Sequence, residues 1–359
     1  MKKFTLAAAA ACLAAGSAHA ASIQRHGDRS QILFEEGERY FEFSVTNVSP
    51  SISGTGTGAF AGAQSGDITP SYQTYHFGYK QDINEKLTFA IVSTNPVGAD
   101  VSYPARPYPF ATSTAEINSL ALTGYLKYQM NDKVSVYGGL RLQSLDGNVN
   151  LGVAPPAVYS LDVDKDYRLG YVLGGAYEVP EIALRLAVTY ESKIEHEFKD
   201  NNGASFDVEI PQAVTLHARS GVAKDTIVFG SARWQEWSKF QVGAPDFLTN
   251  PLNPQNLPIA SGTGDYWTYE LGVGHRFSKS WSGALIVGYE PDNGKLTGNL
   301  EGRDGFTSYG AAITYTAEAF DVTMGVRYYD IGSATTTTIG SNFSNNDALA
   351  TGIKVGFRF

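Results

Sequence analysis

The feature that most constrains this chain is a two-residue period that recurs along nearly its whole length. Val134, Val136, Gly138, Leu140 and Leu142 alternate with Ser135, Tyr137, Gly139, Arg141 and Gln143. Ile182, Leu184, Leu186, Val188 and Tyr190 alternate with Ala183, Arg185, Ala187, Thr189 and Glu191, and the C-terminus closes with Ile353, Val355, Phe357 and Phe359 against Lys354 and Arg358. Successive side chains of a strand point to opposite faces, so the pattern predicts an all-β chain with one apolar and one polar face per strand. In a soluble sandwich the apolar face would meet a shared core. In a membrane barrel it would face lipid, with the charges lining an enclosed lumen. The alternation alone does not separate the two.

Loop lengths do. Very short polar turns fall at 82–86, 131–133, 180–181, 223–225, 278–280 and 317–319, and between them lie longer Gly-, Ser-, Asn- and Pro-rich connections near 50–67, 96–115, 150–165, 242–263, 291–305 and 334–346. One connection, Asp200 to Ala204, is short although it falls on the long side. Short turns on one rim and long loops on the other mark an outer-membrane barrel, and the count gives about fourteen antiparallel strands with both ends of the barrel on the periplasmic side. Residues 40–359 are therefore expected to form one transmembrane β-barrel. Strands this long exceed the roughly 9 to 11 residues needed to cross, so some, Val158 to Tyr177 among them, should project beyond the membrane.

The slightly negative mean hydropathy does not oppose this, because a barrel strand exposes only alternate residues to lipid. A content of 38 Gly, 21 Tyr and 19 Phe suits close strand packing and aromatic girdles. The net charge of −9 argues against nucleic acid as a partner. Residues 1–20 read as an export signal: Lys2 and Lys3, an apolar stretch too short for a membrane helix, then Ala18-His19-Ala20. The single cysteine, Cys12, lies inside it, so cysteine metal clusters, disulfides and thiol nucleophiles are not expected. His26, His76, His196, His217 and His275 show no metal spacing, no cofactor is implied, and His196, between Glu195 and Glu197, reads as a solvated outer strand end. Gly54 to Gly58 reads as an outer loop, since no Lys-Ser or Lys-Thr follows.

Several ordered segments carry a resemblance: Ile210-Pro211-Gln212-Ala213-Val214-Thr215-Leu216, then Asp225 to Gly230, Arg233-Trp234-Gln235-Glu236-Trp237-Ser238, Tyr269 to Gly274, Gly288-Tyr289-Glu290-Pro291 and Gly325-Val326-Arg327-Tyr328. Together they resemble the FadL/TodX family of outer-membrane long-chain fatty acid transporters. The resemblance implies a monomeric fourteen-stranded barrel, an N-terminal hatch in the lumen, access for hydrophobic ligand from the outer loops, and sideways exit through a gap beside a kinked strand. The chain departs from the family pattern in two respects. Only residues 21–39 precede the first strand, which makes this a shortened plug, and the family's Asn-Pro-Ala motif is absent, Asn95-Pro96 falling after a strand instead.

A hydrophobic acid needs apolar walls for its tail and cations for its carboxylate. Inward parity supplies Arg141, Arg185, Arg219, Arg233, Arg276 and Arg327, with His217 beside Arg219. These either receive a head group or pair with Glu42, Glu191, Glu270 and Glu290 to stiffen the barrel. Ile32, Leu33 and Phe34 of the N-terminal segment either contact ligand or anchor the terminus. Tyr103, Tyr108 and Phe110, like Phe247, Leu248 and Leu252, either form a capture surface in the outer loops or pack on one another as a cap. The reading that follows is passive transport of long-chain fatty acids or other hydrophobic compounds through an outer-membrane barrel bathed in lipid. A general porin for hydrophilic solutes is the alternative. A lipid-modifying enzyme would need a Ser and His held as a unit, and no spacing marks one.

Overall fold

The computed structural model describes residues 23–104, 107–152 and 158–359; the export signal expected over 1–20, with Cys12, lies outside them. The main sheet has fifteen segments, two of which are pieces of one interrupted strand, so the barrel has fourteen strands. They are β1 (Arg39–Ser51), β2 (Tyr72–Asp82), β3 (Leu87–Thr94, resuming at Ala99–Ser102), β4 (Thr114–Gln129), β5 (Val134–Gly152), β6 (Val158–Val179) and β7 (Leu184–Glu191). The second half comprises β8 (Ala213–Ala223), β9 (Thr226–Gln235), β10 (Tyr266–Arg276), β11 (Trp281–Glu290), β12 (Phe306–Thr316), β13 (Phe320–Ile331) and β14 (Asn346–Arg358). Each pairs antiparallel with its neighbours in sequence, and β1 pairs with β14, Phe41 opposite Phe357 and Val45 opposite Ile353. That seam closes the sheet on itself, the condition for a sheet to span lipid.

The short turns have a local cause. Asn84 Oδ1 accepts the backbone N–H groups of Lys86 and Leu87, both at 2.9 Å, and Asn131 Oδ1 accepts those of Lys133 and Val134 at 3.0 Å. An Asx turn of this kind reverses the chain in a few residues. Parity then decides what faces out. Leu140, Leu169 and Leu271 are 68%, 69% and 63% exposed, while Gln143, Thr189, Ser308 and Thr323 are fully buried. An outside of leucine around an inside of polar groups is the reverse of a soluble sandwich, and only lipid can cover it. Aromatic contacts mark the periplasmic rim, running from Trp281 through Tyr315, Phe320, Phe357 and Phe41 to Phe77.

On one side the wall rises past the membrane. β6 has 22 residues, about 70 Å of extended chain. There both parities exchange character: outward positions become Asp146, Asn148 and Asn150, and inward ones become Leu145, Val149 and Leu151. A bulge in β6 assists, the register stepping from Leu145 opposite Asp166 to Gly147 opposite Val163. The extra residue turns Tyr159 and Leu161 inward. The loop expected over 150–165 is thus largely strand. A hairpin of Ile194–Lys199 and Ser205–Ile210 leans on this extension, with Phe198, Phe206, Val208 and Ile210 facing in. The short connection at Asp200 to Ala204 is its tip. His196, expected to be solvated, is instead fully buried, with Nδ1 3.0 Å from Asp166 Oδ2. The strand alternation that carries Phe198 inward carries His196 with it.

Candidate functional site

Three structures inside the barrel bear on function: an ionic layer, an interrupted strand latched by the N-terminal segment, and a series of cavities with shared walls. The ionic layer joins β5, β7 and β9 inside the barrel. Glu191 of β7 takes Arg141 of β5 on one oxygen and Arg233 of β9 on the other. Arg233 also donates to Thr215 Oγ1 at 2.6 Å, and Arg141 to Thr123 Oγ1 at 3.3 Å. Toward the periplasm, Glu42 is held by His76 Nε2 at 2.6 Å and Lys354 Nζ at 3.2 Å, and Arg327 meets Glu270 at 2.5 Å. These groups are buried, so each charge is stable only with its partner.

The N-terminal segment enters this layer from above. Leu33 and Ile32, in a short 3₁₀ turn, pack against Tyr40, Ala90, Val92, Tyr125 and Tyr137, and Asp28 lies 3.1 Å from His217 Nε2 while accepting the Ser30 backbone and hydroxyl. Above Ser30 the segment meets the break in β3. Pro96 has no N–H to give a ladder, and residues 95–98 leave the sheet. The Pro96 carbonyl accepts the backbone N–H groups of Arg25 and His26, and Gly98 N donates to Ile23 O at 2.7 Å. A Cβ on Gly98 would sit 2.4 Å from Arg25 Nε, so any side chain there would displace Arg25 from its present position.

The interruption opens the wall. The lower piece of β3 pairs with β2 only from Ser93 to Thr88, and the upper piece pairs with β4 alone. Tyr72 to His76 of β2 therefore lack a ladder on that side, where Tyr75 N donates to Asn95 Oδ1 at 3.5 Å. Arg25 spans the opening from within: its guanidinium lies 3.5 Å from the ring centroid of Tyr72 and 2.5 Å from Asp100. This places Asn95-Pro96 within an interrupted strand rather than after one.

Above the ionic layer lies a series of cavities that share wall residues, mainly apolar but with Arg25, Asp100, Glu301 and Arg303 lining the innermost. An outer vestibule of about 930 Å³ is bordered by Phe110, Leu151, Tyr159, Phe247 and Leu252. It shares Ile259, Ala260 and Leu300 with a cavity of about 610 Å³ walled by Ile117, Leu145, Val149, Phe198 and Phe240. That cavity shares Ala115, Ile117, Ala260 and Leu300 with one of about 640 Å³, which ends at Arg25, Tyr72 and Gly98 beside the opening. Below the layer lies a separate chamber of about 1100 Å³ between the N-terminal segment and the β8–β11 wall.

The residues singled out from sequence fall into different places. Arg141 and Arg233 belong to the ionic layer, and Arg327 is tied to Glu270 and Ser308. Arg185 pairs with Glu178 at 2.9 Å, not with the carboxylates expected. Arg276 sits at the periplasmic rim on Asp225, away from the lumen cavities. His217, Arg219, Ile32 and Phe34 border the lower chamber, and Leu33 packs in the core. Tyr103 and Tyr108 stack at 5.2 Å and are buried, forming a cap rather than an exposed capture surface, whereas Phe110 borders the vestibule. Ile117, Leu145, Val149, Phe198 and Phe240, which wall the central apolar cavity, were missed. For Leu145 and Val149 a signal existed, since the inward parity of β5 turns from Arg141 and Gln143 to apolar residues.

A family model described as outer membrane protein transport protein (OMPP1/FadL/TodX) matches residues 21–293. Among solved structures the fold is similar to a Pseudomonas aeruginosa FadL homologue, with a TM-score of 0.72 at 16% identity over 90% of each chain. It is also similar to the Pseudomonas putida toluene transporter TodX, at 0.65 and 11% over 96% of this chain and 98% of that one. The Ralstonia pickettii toluene transporter TbuX gives 0.63 and 13% over 91% and 90%. A comparison with curated protein sequences gives no match.

Proposed function

This chain belongs to the OMPP1/FadL/TodX family of outer membrane transport proteins, and from that premise we propose that it carries hydrophobic compounds passively from the outer loops to the membrane interior. A ligand settles first in the vestibule at Phe110 and Phe247, passes Ile259 and Leu300 into the apolar cavity, and leaves beside Tyr72 where β3 is broken. The observation that carries this reading is the sharing of wall residues by three successive cavities that end at a gap in the ladder. No step consumes energy: each methylene gains roughly 0.8 kcal/mol on leaving water, and exit into lipid returns nothing to water.

The lower N-terminal segment acts as the plug in this reading, and Arg25 as the latch that shields the opening. Long-chain fatty acids and small aromatic hydrocarbons such as toluene, the compound named for two of the similar structures, suit the same walls. The family consists of channels, and its members are not enzymes. A general porin is not favoured, since the charged inward parity is engaged in buried pairs within the lumen. Uptake of labelled oleate and toluene by cells lacking the protein, with and without complementation, tests the reading. Complementation should raise uptake of at least one of them severalfold; equal uptake of both in all strains removes it.

A further inference from the structure

The lower chamber holds a charge that the other lumen pairs leave unanswered. In the pairing of β7 with β8, Arg219 stands directly opposite Arg185, and like charges facing each other across two strands repel. Arg185 is neutralised by Glu178 and lies over the ring of Phe34 at 4.1 Å. Arg219 is not. Among the described residues no carboxylate reaches ion-pairing distance of it, and its buried Nε has no hydrogen-bond partner.

Acidic groups do border the same chamber, yet all but Glu35 are committed elsewhere. Asp28 is taken by His217, Glu42 by Lys354 and His76, and Glu270 by Arg327, while Glu35 stays beyond pairing distance of Arg219. Arg29 faces the chamber from the N-terminal segment, also with an unpartnered Nε. The surface beside Arg219 is apolar: Phe229 stands directly next to it in the pairing of β8 with β9, and Ile227 and Ile286 extend that wall over β9–β11. A planar cation beside a hydrocarbon wall is the pairing that recognises a carboxylate with a short tail, because guanidinium binds carboxylate through two parallel hydrogen bonds. A small inorganic anion would leave the wall unused.

We propose that Arg219 anchors a second ligand site, in the periplasmic half of the lumen, for a small amphipathic monocarboxylate whose tail lies on Ile227, Phe229 and Ile286. The site is separated from the outer cavities by the Arg141–Glu191–Arg233 layer, so it goes beyond the transport route above and does not depend on it.

Equilibrium binding of radiolabelled octanoate to the full-length mature protein in lipid nanodiscs, with empty discs subtracted, tests the proposal. Arg219→Gln should weaken octanoate binding at this site at least tenfold, with Arg219→Lys keeping most of it, while octan-1-ol binding changes less than twofold. Ile227→Trp, which fills the chamber from the strand beside Arg219, should remove the same site, and retention of heat-modifiable mobility on gels reports that each variant is folded. Diffraction from crystals soaked in 8-bromooctanoate should place bromine beside Phe229. Unchanged octanoate affinity and stoichiometry in folded Arg219→Gln and Ile227→Trp overturns the proposal. Binding is read without transport, so absence of oleate and toluene uptake alongside Arg219-dependent octanoate binding would remove only the transport reading.

Discussion

Glu191 is the residue on which the middle of the lumen turns, since two arginines from different strands share its carboxylate and neither has another acid in contact. Glu191→Gln leaves both guanidiniums buried without a counter-charge, a loss of about 3–5 kcal/mol where one partner of a buried pair is removed. The guanidinium midpoint of unfolding from liposomes should fall accordingly, and the double variant Glu191→Gln with Arg141→Met should lose less than the sum of the two single changes. An unchanged midpoint would mean that water already solvates these groups. At this scale the sequence was half legible. Parity put Arg141, Arg185, Arg233 and Arg327 inside, but which acid meets which arginine depends on strand stagger. Hence Glu178 of β6, not named beforehand, is the partner of Arg185, and Lys354 and His76 rather than an arginine hold Glu42.

Among the elements, the outer hairpin is the most sensitive to solution conditions. Burial favours neutral His196, holding it below the ordinary value of 6.5, and Asp166 opposes this only in part. The loosened hairpin takes up the proton more readily than the packed one, so its packing is fully stable above about 6.5 and is lost as pH falls below that. Arg168, which also faces this histidine, acts in the same direction as burial. Protease cleavage at Asp200 to Ala204 should therefore quicken between pH 7.5 and pH 5 in the native protein and lose that dependence in His196→Gln. Cleavage rates that ignore pH in both would show that the ring is not held in this way. The elements themselves follow from alternation and turn chemistry, as at Asn84 and Asn131. What alternation could not reveal is the bulge in β6: one extra residue exchanges the faces of Val158 to Val163, and nothing in the composition of that stretch announces it.

For the molecule as a whole, the question is how a fourteen-stranded barrel avoids leaking. The N-terminal segment leans on the β2–β4 wall and the ionic layer lines the β5–β9 wall beside it, so liposomes holding the intact protein should exclude raffinose. Deleting residues 23–36 should admit it and raise conductance in planar bilayers severalfold, provided gel mobility still reports a folded barrel. Free passage of raffinose through the intact protein would instead favour a hydrophilic pore. Strand number was readable from the rhythm of short and long connections. The opening beside β3 was not, because Asn95-Pro96 looks like the end of a strand unless Ala99–Ser102 is seen to resume on the same neighbour.

The seam between β1 and β14 has a consequence for biogenesis. Arg39 and Phe359 exchange both backbone hydrogen bonds, at 3.0 and 3.1 Å, so the first strand to emerge from the ribosome waits for the last before the cylinder can shut. Until then the polypeptide travels with two raw sheet margins and a greasy exterior, and it needs escorts and an insertion machine that can hold those margins apart.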